Sequence, residues 1–241
     1  MLFYACMMFF FTSCGGGGGE KTSTDTTSAD TTTAAANATP TNTIITTPQN
    51  MMVVKHKVAD FAKWKTSYDA HDSMRLANGV HSYVIGRGVQ DSNMVLVAVK
   101  VDDMTKAKAF AKDRSLKEAM QKGGVKGTPT FNFVTMVFQD TATLSPDIPR
   151  SRTTFKVKDW NAWQQAFEAA DAKQERLDNG ITLRAYGHDV DDDHKVTLVT
   201  AIMDTAKAYA YYKSDMLKKR RAAGGVMGEP DRFIYRVVQR Y

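Results

Sequence analysis

Cysteine is nearly missing from this chain. Its 241 residues contain two, Cys6 and Cys14. Two thiols make at most one bridge, which excludes a small fold stapled by disulfides. No apolar run reaches the roughly 20 residues that cross a bilayer as a helix. The longest, at positions 2–11, reads Leu-Phe-Tyr-Ala-Cys-Met-Met-Phe-Phe-Phe. Charge is scarce in the first fifth: residues 1–50 carry only Lys21 against Glu20, Asp25 and Asp30, a net of −2, so the rest holds +8 of the whole-chain +6. Paired catalytic carboxylates, a nucleophile with its base, a third ligand for any metal and a basic-aromatic pattern for nucleic acid are also lacking. What remains is a charge-poor, Thr-rich start followed by a sequence of ordinary globular composition.

The apolar run has the length of a secretory signal core. Thr12-Ser13-Cys14 follows it, then Gly15 to Gly19. An apolar run, two small residues and a Cys at the polarity switch resemble the lipobox of bacterial lipoproteins. That resemblance implies a signal peptide over 1–14, acylation of Cys14, and a lipid-anchored protein of the cell envelope, periplasmic or surface-exposed. With Cys14 acylated and Cys6 removed, no free thiol is left for chemistry. Twelve threonines lie between Thr22 and Thr47. Ordering such a segment buries almost nothing apolar to offset the lost entropy, so 15–50 is expected to be a disordered tether.

The remainder is one module written twice. Val58-Ala-Asp60-Phe61-Ala-Lys-Trp64 matches Val157-Lys-Asp159-Trp160-Asn-Ala-Trp163 at an offset of 99. Arg75-Leu76-Ala-Asn78-Gly79 matches Arg176-Leu177-Asp-Asn179-Gly180 at 101, and Gly86, Asp91, Leu116 and Gly123-Gly124 keep that offset. The modules are expected at 51–138 and 153–241, with 139–152 as linker.

Each copy has the same element order. Residues 52–58 alternate as a strand. Phe61, Trp64, Tyr68, His71 and Arg75 are spaced 3, 4, 3, 4, one stripe of a helix over 60–77. Asp60 is the expected N-cap, and Asn78-Gly79 the stop. Strands follow at 80–87 and 94–101, then a helix over 104–122 with a break before Ser115, where Ser115-Leu-Lys-Glu118 reads as a capping box. A last strand covers 130–138. The order βαββαβ is ferredoxin-like, an antiparallel sheet with both helices on one face. A module of about 85 residues leaves its other face bare. Two modules covering each other give an α+β tandem that closes a barrel within one chain, with four helices outside, so a monomer with an internal pseudo-dimer is expected.

Val54-Lys-His56-Lys-Val58-Ala-Asp60-Phe-Ala-Lys-Trp64, Tyr68-Asp-Ala-His71-x-x-x-Arg75, Leu116-Lys-Glu-Ala-Met120 and Gly124-Val125-x-Gly-x-Pro129 resemble the dimeric α/β-barrel superfamily. More narrowly, they resemble small bacterial proteins related to antibiotic-biosynthesis monooxygenases. The resemblance implies the same barrel. It implies function loosely, because that superfamily contains cofactor-independent monooxygenases, isomerases, haem-binding proteins and members without known activity.

Strand alternation places Met52, Val54, His56 and Val58 on one face. If that face meets the helix stripe, His56, His71 and Arg75 converge, with Trp64 and Tyr68 beside them. Two imidazoles and a guanidinium suit an anionic or oxygen-rich small-molecule ligand. In a catalytic reading His71 is the base and Arg75 the anion stabiliser, with His56 and Tyr68 orienting. In a structural reading His56 and His71 bond each other or Tyr68. Haem through His56 or His71 is a further reading, although no cofactor is required. In the second copy His56 becomes Phe155 and His71 becomes Ala170, so that cavity is expected to be filled with hydrocarbon. The acid loop from His188 to His194 is expected to be a solvated turn, and Lys218-Lys219-Arg220-Arg221 a solvated face. Partners are thus a small molecule and, through Cys14, a membrane, with nucleic acid excluded.

Overall fold

Two copies of one chain path lie side by side and share their edges. The computed structural model describes residues 42–241. The signal, Cys14 and the tether up to residue 41 lie outside the described residues. The path opens with β1 (Ile44–Ile45). It continues through β2 (Gln49–Val58), α1 (Phe61–Ala70), α2 (Asp72–Ala77), β3 (Val80–Gly88), β4 (Met94–Val101), α3 (Met104–Phe110), α4 (Arg114–Lys122) and β5 (Val125–Asp140). The second copy gives β6 (Arg150–Val157), α5 (Trp160–Glu168), α6 (Ala170–Asp178), β7 (Ile181–Asp189), β8 (Lys195–Ile202), α7 (Thr205–Tyr212), α8 (Asp215–Ala223) and β9 (Val226–Arg240). This is the α+β tandem of ferredoxin-like modules expected from the repeat.

Strand order is β1-β5-β2-β4-β3-β9-β6-β8-β7, and β7 returns to pair with β5. The modules therefore meet at two antiparallel seams, β3 with β9 and β5 with β7. Closure leaves neither module with a free edge on the barrel. Two glycines at equivalent repeat positions permit the close approach. A Cβ on Gly187 would press against the Thr135 carbonyl and lie 2.7 Å from the Met136 Cα, and one on Gly86 would enter the Tyr235 ring.

Alternation along the strands separates two cores. Met52, Val54, Val58, Val95, Val97 and Val99 face the helices and pack on Trp64 and Phe110. Met51, Val53, Leu96, Val134, Met136 and Tyr235 face the barrel lumen. Trp163 repeats the role of Trp64 in the second module. Burying one such side chain is worth roughly 1.5–3 kcal/mol, so the repeated aromatic and valine positions fix which face of each sheet the helices cover.

Four local features differ from expectation. Residues 42–50, expected in the tether, enter the sheet: Ile44 faces Asp140 and Ile45 faces Gln139. They are the first large aliphatic pair after the signal-like run, and β5 gives them an edge to join. The helix expected over 60–77 breaks at His71, where φ is −101° and ψ is 23°. The break expected before Ser115 is present, between α3 and α4, and each of the four helical segments is two short helices. The capping group of α4 is Asp113, whose carboxylate accepts from the Ser115 N–H at 2.6 Å. Glu118 pairs with Arg114 at 2.7 Å instead of completing a capping box. A carboxylate at a helix start gains from the helix dipole as well as the hydrogen bond. Finally, β5 runs to Asp140 and β6 starts at Arg150, which shortens the linker at both ends.

Candidate functional site

The first module encloses a cavity of about 70 Å3 between α1, α2, α4 and its sheet. His56, Trp64, Tyr68, His71 and Arg75 all line it. Strand alternation brings His56 there and the 3-4 spacing brings the other four. Ser67, which lines the same space, was not singled out from sequence. Its position four residues before His71 was the available signal.

His56 is 4% exposed. Neither ring nitrogen has a hydrogen-bond partner. Burial lowers its pKa to about 4, so at neutral pH the ring is uncharged and offers one N–H and one lone pair. The Trp64 ring lies 5.4 Å away, centroid to centroid, and Tyr68 stacks on Trp64 at 5.2 Å. The Tyr68 hydroxyl is 2.8 Å from Ser82 Oγ, and burial raises its pKa. His71 Nδ1 is 2.6 Å from the Ser67 carbonyl. A carbonyl only accepts, so Nδ1 carries a hydrogen; in the neutral ring the lone pair is then on Nε2. The structural reading in which the two histidines bond each other or Tyr68 does not match this geometry.

Arg75 is already occupied. Its Nη1 donates to the Tyr68 carbonyl at 2.6 Å and its Nη2 to Asp72 Oδ1 at 2.9 Å. The guanidinium lies 3.7 Å over the Tyr68 ring. The helix break at His71 leaves that carbonyl available to Arg75. Only Nε of Arg75 lacks a partner. Its charge is paired with the half-exposed Asp72. Arg176 repeats the device in the second module, donating to the Phe167 carbonyl at 2.8 Å and lying 3.9 Å over that ring.

The equivalent space in the second module is not filled with hydrocarbon. It is a cavity of about 100 Å3, lined by Phe155, Phe167, Arg176, Arg220, Arg221 and Arg232 among others. Two basic residues expected on a solvated face thus turn to this cavity. Arg220 pairs there with Glu175 and Asp171 at 2.7 and 2.8 Å. In the acid loop, Asp191 meets Lys108 at 2.6 Å and Asp189 meets Lys195 at 3.7 Å. Among the described residues no group of three or more His, Cys, Asp or Glu is placed to hold a metal ion.

No family model matches this chain, and no curated protein does. Solved structures do. A structure named putative monooxygenase from Fusobacterium nucleatum aligns at a TM-score of 0.52 and 12% identity, over 80% of this chain and 93% of that one. An anthrone oxidase-like protein aligns at 0.53 and 17% identity, over 81% and 94%. The fold is the dimeric α/β barrel. Here one chain supplies both halves of it. A haem-binding protein from Thermus thermophilus aligns at 0.42 and 10% identity, over 81% and 93%, too distant to bear on a cofactor.

Proposed function

We propose that this α/β-barrel protein binds a small, neutral, largely apolar molecule carrying a hydroxyl or carbonyl group. The site is the cavity between the first-module helices and sheet. The observation that carries this reading is His56, a buried uncharged imidazole with neither nitrogen satisfied. Such groups are strongly disfavoured unless something fills their hydrogen-bonding capacity. The apolar walls (Val54, Val97, Val99, Phe110) set the character of the rest of the ligand. A bacterial lipid anchor on Cys14 would hold the protein at the envelope membrane, with the Thr-rich segment as spacer; more than one acyl chain makes such anchoring stable. The test of the site is titration of the full-length protein with phenol and with toluene, followed by NMR. Phenol is expected to shift cavity resonances saturably and toluene much less. In His56→Phe, which copies Phe155, the preference for phenol is expected to vanish. Equal binding of phenol by both proteins would remove the reading.

A second reading is favoured by one observation, the tautomer of His71. With Nδ1–H held by the Ser67 carbonyl, Nε2 is the free base of a cofactor-independent monooxygenase or isomerase. Tyr68 and His56 would orient the substrate. Oxygen consumption with quinol-type substrates, lost in His71→Ala but insensitive to chelators, distinguishes turnover from binding alone.

A further inference from the structure

The barrel lumen holds charges that the chain does not neutralise. Its two halves differ. From the first module Met51, Val53 and Leu96 line the lumen cavity, whereas the equivalent second-module residues are Arg150, Arg152 and Thr197. Tyr83 is likewise replaced by Arg184. Arg150, Arg152 and Arg184 are 5%, 5% and 6% exposed. Arg184 has a counter-charge, Asp140 at 2.6 Å. The other two have only neutral acceptors. Arg150 donates to the Ile148 carbonyl at 2.6 Å and Arg152 to Asn132 Oδ1 at 2.5 Å. Nε of Arg152 has no partner. Among the described residues, neither Arg150 nor Arg152 forms an ion pair. Asp231, whose field reaches Arg152, is exposed and pairs with Lys55 at 3.4 Å. Guanidinium groups stay charged in proteins, and burying a charge without its opposite is strongly unfavourable. The cavity between these groups is about 80 Å3, and the exposed Arg240 lines its rim.

We propose that the lumen is a binding site for a small organic carboxylate, its headgroup between Arg150 and Arg152 and its apolar part against Met51, Val53 and Leu96. A carboxylate matches the planar donor fork of a guanidinium. The buried Tyr235, also on the wall, brings a hydroxyl close to both arginines. The apolar opposite half selects an organic anion over an inorganic one. This site lies on the other face of the sheet from His56 and does not rest on the reading given for that cavity.

The test uses full-length protein at neutral pH, with thermal unfolding and calorimetric titration against butyrate, butanol and inorganic phosphate. Butyrate is expected to bind saturably and raise the Tm as its concentration rises, as any ligand selective for the folded state does. Butanol and phosphate should do so at least about tenfold more weakly. The double variant Arg150→Met with Arg152→Val, which writes the first-module residues into the second, is expected to lose the butyrate response. It should also melt no lower than the wild type without ligand, because two uncompensated charges are gone. Arg152→Gln gives the same loss should the double variant fail to fold. His56→Phe should leave the butyrate response intact. No response of the wild type to butyrate, a response the variants keep, or an equal response to butanol or phosphate would each overturn the proposal.

Discussion

His56 gives the most direct access to the energetics of the first cavity. Its folded pKa is about 4 against 6.5 for the free side chain, and burial alone is responsible. The unfolded chain therefore binds the proton more tightly. The stability associated with a neutral His56 is fully present above pH 6.5 and is lost as pH falls towards 4. A gap of about 2.5 pH units at roughly 1.4 kcal/mol each corresponds to about 3 kcal/mol lost between pH 7 and pH 4. Replacing His56 by Phe removes this dependence, and Phe155 at the equivalent position indicates that the module accepts the ring. Urea unfolding of both proteins at steps from pH 7 to pH 4 measures the effect. The difference between the two curves isolates His56, because the carboxylates titrate alike in both. The wild type is expected to fall behind the variant by about 3 kcal/mol at the acid end. At pH 7 and without ligand the variant should be at least as stable, having lost two unsatisfied buried nitrogens. A pH-independent difference would refute the assignment of His56 as a buried, partnerless imidazole.

Other outcomes follow from the same geometry. Gly187→Ala forces a methyl group against the β5 backbone at a module seam, and should cost about 1–3 kcal/mol or more in urea unfolding; Gly86→Ala drives its methyl into the buried Tyr235 ring and should cost about as much. Arg75→Met loses the bond to the Tyr68 carbonyl and the stack on its ring, about 2 kcal/mol, with only a small contribution from the exposed Asp72. Arg176→Met should cost a similar amount while leaving binding at the first cavity unchanged. Cys14→Ser should move the protein from the membrane to the soluble fraction and remove acyl mass in mass spectrometry.

Much of this was legible in the residues. The offsets of 99 and 101 carried the duplication, the 2- and 3-4-residue periodicities carried the element order, and the bare sheet face of one module carried the barrel. The same periodicities brought His56, Trp64, Tyr68, His71 and Arg75 to one wall. The misses have a common cause: they depend on which partner a polar group finds in three dimensions. Arg75 pairs with Asp72, three residues earlier, a contact that the choice of residue types alone does not reveal. The break at His71 leaves the Tyr68 carbonyl open to Arg75, a pairing that the 3-4 spacing does not record. Arg221 and Arg232 reach the second cavity from α8 and β9, remote in sequence from the Phe155 that suggested a hydrocarbon filling. The lumen arginines stand at Met51 and Val53 in the first copy, a contrast visible only once the face of β6 is known.

Covalent fusion of the two modules changes what the lumen is allowed to contain. In a barrel built from two identical chains, every inward residue occurs twice across the axis. Arg150, Arg152 and Arg184 would then be six guanidiniums around a space of about 80 Å3, and mutual repulsion would oppose assembly. A single chain escapes that rule. One half can become cationic while the other stays greasy, so the inside of the barrel acquires a direction, with a polar pole and an apolar pole that no symmetric pair could possess.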